Sequence, residues 1–373
     1  MQPPLTNGLE FYFHRAMPVV ALPSMRANLA TVWLDVYAKG FTGCVTGAPD
    51  SPGWAQSIAL RARDQFRAQC RNASWRIDDI VPSQYAGVGA GKRFCGWNYY
   101  LQLDKSLGQG RALKGSQDYG NCTSWMTREM VGTCLGIDVV HKAEPHRYTA
   151  RPGTALVYGS RGWSSQGMAL GTAMDAVHNI GIQLEAVYCG GKYDLRDENT
   201  DESYGNKWGG SGPPSCLKEE VSGDRMDYVG QVTGGLEAVK DLLYAGYAIG
   251  TGCTLTGKVP ANPVCQGLQS IGGHAQACLG YDDTDECRSY LKSLGRNIGD
   301  DCVMFMDQSW GPNWLQVSNW NAALWGEPSE GMWPITGKDF MKIYNQWGDV
   351  WAINNVLGFP LRDLPDWGSN LYL

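Results

Sequence analysis

No stretch of this 373-residue chain is apolar for long enough to cross a bilayer. The longest apolar run near the start, residues 16–22, is short and is broken by Pro18. The opening residues, Met1 to Gly8, lack a basic segment followed by an apolar one, so no secretory leader is expected. Synthesis in the cytoplasm without membrane insertion is the expectation. Basic runs are missing too. With 31 Lys and Arg against 37 Asp and Glu, the net charge is −6, which argues against a nucleic-acid partner. Cys-x-x-Cys pairs are absent, so the usual structural zinc spacing is excluded, and no metal or other cofactor is expected. No internal repeat or low-complexity tract appears.

What is present is enough material for a sizeable core: 43% hydrophobic residues in a chain long enough for one large domain or two or three small ones. Fifteen tryptophans and 48 glycines suit large packing anchors joined by tight turns. Twelve cysteines are many. Without a leader, reduced thiols are the default, and most read as small buried hydrophobes. Disulfides stay open for a protein that ends outside a cell.

Periodicity sets the coarse organisation. Ile58, Ala59, Ala62 and Phe66 predict a helix over 53–68. Gly87 to Lys92 evokes a phosphate loop. However, Ala86 and Arg93 break the Walker spacing, leaving a plain glycine loop. A helix is expected from Cys122 to Leu135, stopped by Gly136. A second spans Gly167 to Ile180, ended by Gly181 and followed by a strand from Ile182 to Tyr188. The acidic stretch Asp194 to Glu202 lacks the glycine and closing glutamate of a calcium loop, and reads as a solvated loop. Farther on, a helix over Gly235 to Ala245 precedes strands at Tyr247–Cys253, His274–Tyr281 and Cys302–Gln308. The tail offers a helix over Lys338–Asn345 and a strand over Val350–Asn354.

Three separated motifs carry chemistry. Gly-Asn-Cys-Thr-Ser-Trp occupies 120–125, Gly-Gly-His-Ala 272–275, and Asp-Gln-Ser-Trp-Gly 307–311. A cysteine at a helix N-terminus feels the positive end of the helix dipole, which favours thiolate. A histidine can take its proton, and a side-chain amide can hold the ring in one tautomer. An oxyanion hole needs donors beside the nucleophile. Cys122, His274, Gln308 and Gln117 could fill these four roles. Each has a plainer reading: a core thiol, a satisfied core histidine, and glutamines serving polar cores. The motif settings favour the site for Cys122 and His274. His14, His141, His146 and His178 have no such setting and read as structural or surface residues.

Taken together the motifs resemble the papain-like cysteine peptidases over roughly residues 111–320. Gln117 to Trp125 is similar to the family's nucleophile segment. Gly162 to Tyr188 resembles its glycine-rich loop and following helix. Gly235 to Thr251 resembles a helix and strand, Gly273 to Tyr281 the histidine strand, and Asp307 to Trp314 the Asn-Ser-Trp-Gly turn. The resemblance implies an α+β, papain-like two-lobe fold with a long N-terminal extension. It implies Cys122 as nucleophile, His274 as general base, Gln308 as its orienter, Trp310 as a shield over that contact, and Gln117 as the oxyanion glutamine. Gly167 would lie near the substrate backbone.

Three departures accompany the resemblance. Gln308 stands in place of the family's Asn. Gln117 is one residue closer to Cys122 than the usual spacing, with Ser116 in that place. About 110 residues precede the motif, where the family usually carries an inhibitory propeptide, yet no propeptide helix pattern is evident. The expected divisions are an N-terminal extension (1–110), a helical lobe with the nucleophile (111–230), a β-rich lobe with His274 and Gln308 (231–325), and a C-terminal segment packing back on the core (326–373). The first functional expectation is a thiol hydrolase acting on a peptide or protein through an acyl-enzyme. A second is a structural protein of a virion or other assembly, phage or bacterial, that uses the fold as a scaffold among neighbouring subunits. A third is a Cys–His amidase or transferase on cell-wall peptides.

Overall fold

The computed structural model describes residues 86–107, 117–141, 150–258, 260–310, 317–329 and 331–356. The helix expected over 53–68 lies outside them. In chain order the first elements are strand β1 (Arg93–Cys95), helix α1 (Trp97–Ser106) and helix α2 (Cys122–Gly136), which runs on as a π-turn over Ile137–His141. Helices α3 (Ala155–Gly159) and α4 (Leu170–Asp175) follow, the latter continued by a π-turn over Ala176–Ile180. A small hairpin, β2 (Val187–Tyr188) and β3 (Tyr193–Asp194), precedes helices α5 (Glu198–Trp208) and α6 (Ser215–Val221). Then come β4 (Met226–Gln231), α7 (Gly235–Tyr244), β5 (Ala248–Gly257), β6 (Leu268–Asp282), α8 (Asp285–Ser293) and β7 (Val303–Asp307). The last elements are α9 (Ala322–Trp325), β8 (Met332–Thr336), α10 (Gly337–Trp347) and β9 (Asp349–Val356).

The class is α+β. Seven strands form one antiparallel sheet in the order β4-β9-β5-β6-β7-β8, with β1 paired to one end of β6. The tail strands β8 and β9 therefore belong to the same sheet as the histidine strand. Residues 93–106 likewise join the body, β1 on β6 and α1 against α2.

Helix α2 lies across this sheet, packed on β5, β6 and β9. Every residue from Cys122 to Gly136 is buried. Close approach is set by glycines, one on β5 and one on α2 itself. A Cβ on Gly250 would sit 2.7 Å from the sulfurs of Met126 and Met130. A Cβ on Gly136 would sit 2.5 Å from the Tyr99 carbonyl carbon. Gly136 was expected to stop the helix as a cap. It is instead a packing glycine, and the chain continues helically for another turn.

Two further expectations differ from what is found. Ile182 to Tyr188 is not a continuous strand: Leu184 makes an isolated bridge to Pro152, and only Val187–Tyr188 pairs, with Tyr193–Asp194. The acidic stretch is not a solvated loop. Asp197 caps α5 by accepting from the Thr200 N–H at 2.9 Å, and Asp201 and Glu202 are buried. Asp194 and Asp197 stay exposed, while Asp201 and Glu202 have found buried donors, as burial of charge requires.

The glycine loop also has a defined role. The N–H groups of Gly87 and Gly89 donate to the Asp241 carboxylate at 2.8 Å each, and Gly91 N–H donates to Asp283 at 3.0 Å. Its donors are spent on protein carboxylates, which agrees with a structural loop. One disulfide, Cys189–Cys216, ties the small hairpin to α6, where reduced thiols were the default. The eight other cysteines among the described residues are buried.

Candidate active site

Cys122 is the first residue of α2. Its helix N-terminus places the positive end of about half a unit charge beside the thiol. The preceding loop is held to the chain around Gly167 by two bonds. Gly120 N–H donates to Gln166 Oε1 at 2.9 Å, and Gly167 N–H donates to the Gly120 carbonyl at 3.1 Å. Gly167 sits at φ +93°, a left-handed conformation suited to glycine. One residue on, Thr123 Oγ1 donates to the Met168 carbonyl at 2.9 Å. The Gly167 segment thus runs directly beside Cys122.

The other side of the nucleophile loop faces α5. Glu202 accepts from Asp118 N–H at 3.0 Å, from Asn121 Nδ2 at 2.8 Å, and from Trp125 Nε1. Burial raises the Glu202 pKa, and the hydrogen bonds from Asn121, Asp118 and Trp125 work against that rise. One turn along α2, Arg128 pairs with Glu185 at 2.9 Å and Glu198 at 3.0 Å, and its guanidinium lies over the Trp125 ring. On α3, Tyr158 is pushed up to about 12, chiefly by burial, and the charges of Cys122 and Glu202 add to the rise.

His274 lies on β6, opposite Cys253 of β5, and is 3% exposed. Its ring is stacked on Trp310 with centroids 4.3 Å apart and planes 24° apart. Trp310 is in turn fixed by its own backbone, whose N–H donates to Gln308 Oε1 at 2.8 Å. Gln308 directly follows β7, whose last residue Asp307 pairs with Ala277 of β6. The strand register therefore delivers Gln308 and Trp310 to the His274 end of β6.

Gln117 joins the two sides. Its backbone N–H donates to the Ser309 carbonyl at 3.0 Å, and its Oε1 accepts from Ser309 Oγ. Its Nε2 donates to the Tyr119 carbonyl at 3.0 Å. The residue expected in the oxyanion hole thus spends one of its two amide N–H donors on its own loop.

The residues singled out in the sequence fall into two linked groups: Gly167 and Gln117 lie with the loop that leads into Cys122, His274 lies with Trp310 and Gln308, and Gln117 bonds to Ser309 between them. Of the other described histidines, His178 meets the Met226 carbonyl at 2.7 Å, away from the motif residues. Sequence reasoning missed Gln166 and Glu202. The signal for Glu202 was available. Glu198, Asp201 and Glu202 stand at i, i+3 and i+4, one helical face. Among the described residues no cluster of His, Cys, Asp or Glu could hold a metal ion, and no helix is long and apolar enough to cross a membrane.

No family model matches the chain, and no curated protein matches it. Among solved structures it is similar to xylellain, a cysteine protease from Xylella fastidiosa, at 16% identity and TM-score 0.41, covering 66% of this chain and 83% of that one. It is similar to the cysteine protease and lectin-like domains of Cwp84, a surface layer associated protein of Clostridium difficile, at 16% identity and TM-score 0.41, covering 69% and 52%. It is also similar to procathepsin B S9 from Trypanosoma congolense, at 9% identity and TM-score 0.44, covering 74% and 81%. These neighbours are papain-like cysteine proteases.

Proposed function

We propose that this chain is a thiol hydrolase of the papain-like kind, cleaving peptide or isopeptide bonds through an acyl-enzyme. Cys122 supplies the nucleophile and His274 the base. The thiolate adds to the scissile carbonyl. Protonated His274 then gives its proton to the leaving amine as the C–N bond breaks. Water, deprotonated by His274, opens the thioester and restores the thiol. Trp310 covers one face of the His274 ring and fixes its plane, and Gln308 fixes Trp310. The observation that carries this reading is that stacked, strand-borne histidine on the sheet side, joined through Ser309 and Gln117 to the loop that opens α2 at Cys122.

A second reading has one observation in its favour. One Gln117 Nε2–H is bonded to the Tyr119 carbonyl and its Oε1 to Ser309, so the side chain is tied down and keeps one N–H for an oxyanion. A scaffold protein with an unused site fits a side chain tied down in this way. Assay of a fluorogenic peptide library with wild type and Cys122→Ala separates the two. The hydrolase reading expects turnover that vanishes in the variant. No turnover in wild type, or turnover that survives Cys122→Ala, overturns it.

A further inference from the structure

We infer that Glu202, on helix α5, is a positioning residue for the nucleophile: its buried carboxylate holds the loop and first turn that carry Cys122. The inference rests on the thiol-hydrolase reading and extends it.

Three donors converge on this one side chain, and they bracket Cys122 in sequence. Asp118 N–H lies in the loop before it, Asn121 Nδ2 is the residue immediately before it, and Trp125 Nε1 is in the first turn after it. All three are donors, so the group meets them as an acceptor-only carboxylate. Bonds to a charged acceptor are roughly twice as strong as neutral ones. Glu202 is 2% exposed, Asn121 is fully buried and Trp125 is 1% exposed, so water does not replace these bonds.

The Asn121 contact has a further consequence. Asparagine is among the best N-cap residues, its side chain normally accepting from the helix's first free N–H groups. Here Asn121 precedes the helix but makes no capping bond, because its amide is turned to Glu202. The N-terminal N–H groups of α2 are left uncovered by that side chain, beside the thiol, where developing negative charge on a substrate carbonyl would need donors.

Neighbouring Asp201 is the natural control. It sits one residue away on the same helix and is equally buried, but it serves α3: it accepts from Thr154 N–H at 2.6 Å, Thr154 Oγ1 at 2.7 Å and Ala155 N–H at 3.1 Å. Loss of either carboxylate costs stability. Only loss of Glu202 should misplace Cys122.

The experiment compares wild type, Glu202→Ala, Glu202→Gln and Asp201→Asn. It measures kcat and KM on a cleaved peptide and the iodoacetamide rate at Cys122, each per folded molecule as counted by circular dichroism. Glu202→Ala should lose about 100-fold in kcat and in alkylation rate with little change in KM, since displacement of a reacting group by about 1 Å costs that much. Glu202→Gln should recover most of the loss, because one amide oxygen can still accept from both Asn121 and Trp125. Asp201→Asn should melt earlier yet keep wild-type rates. A folded Glu202→Ala protein in which Cys122 reacts as fast as in Asp201→Asn, or a Glu202→Gln protein as slow as Glu202→Ala, overturns the inference and leaves the hydrolase reading standing. A wild-type Cys122 no more reactive than the other buried thiols overturns both.

Discussion

The two sides of the candidate site are held by different physics. On the sheet side, His274, Gln308 and Trp310 are placed by strand register and aromatic stacking, and hydrogen bonds within the ladder do most of the positioning. On the helix side, Cys122 hangs at the end of a fully buried helix whose loop and flanks are fixed by carboxylates from α5 and from the segment before β2. Glu202 holds the loop, and Glu198 and Glu185 hold Arg128. A strand residue inherits its position from its neighbours. A residue at a helix N-terminus does not, because the loop before it has no ladder, so discrete polar contacts must supply the constraint. The difference teaches where each side is vulnerable: rate on the sheet side, stability and nucleophile placement on the helix side.

The largest effects should come from breaking the chemistry itself. Cys122→Ala should leave the far-ultraviolet spectrum unchanged and abolish hydrolysis. His274→Ala should lower kcat/KM by about 100- to 10,000-fold, the usual worth of a general base, with the melting temperature nearly kept. Steady-state kinetics beside thermal melts check both.

Next in size is the helix-side charge cluster. Arg128→Met leaves Glu185 and Glu198 facing a buried apolar side chain. Removing one partner of a buried ion pair costs about 3–5 kcal/mol, so a clear fall in the urea midpoint is expected. An unchanged midpoint would mean that the helix side does not depend on its charges, and the comparison would fail there.

The Cys189–Cys216 disulfide closes a loop over a separation of 27 residues. A closure of that length stabilises by about 3.5 kcal/mol in the chain-entropy view. The double variant Cys189→Ser, Cys216→Ser should therefore melt earlier. Because the bridge ties the small hairpin to α6 and not to the sheet, the alkylation rate of Cys122 in the folded protein should stay near wild type. Denaturation curves paired with thiol kinetics test this.

Smallest should be Gln308→Ala. The orienting amide tunes the base but does not replace it, so a loss of about tenfold in kcat is expected, well short of His274→Ala. Equal losses would mean that His274 is held by Gln308 rather than by its strand and Trp310.

The same contrast explains what was legible in the sequence. The sheet side could be read because apolar alternation and runs such as Val303 to Met306 predict strands at these positions, and motif residues ride on them. Helix α2 was legible through Met126, Met130 and Cys134, spaced four residues apart. The bracing was not. Asp197, Glu198, Asp201 and Glu202 carry the composition of a solvated loop, and only tertiary donors on α2 and α3 justify burying Asp201 and Glu202. Gly136 misled for a related reason: a glycine after an apolar run signals a cap, and nothing local reports that Tyr99 backbone lies against it. The destination of the Gln117 amide was also hidden, since it depends on Ser309, distant in sequence.

The most direct test of the central claim is the second-order rate of Cys122 carboxamidomethylation near neutral pH, compared between wild type and His274→Ala. If the sheet-side histidine activates the helix-side thiol, Cys122 should outpace every other cysteine in wild type and slow by at least about tenfold in the variant. Equal rates in the two proteins would contradict the account.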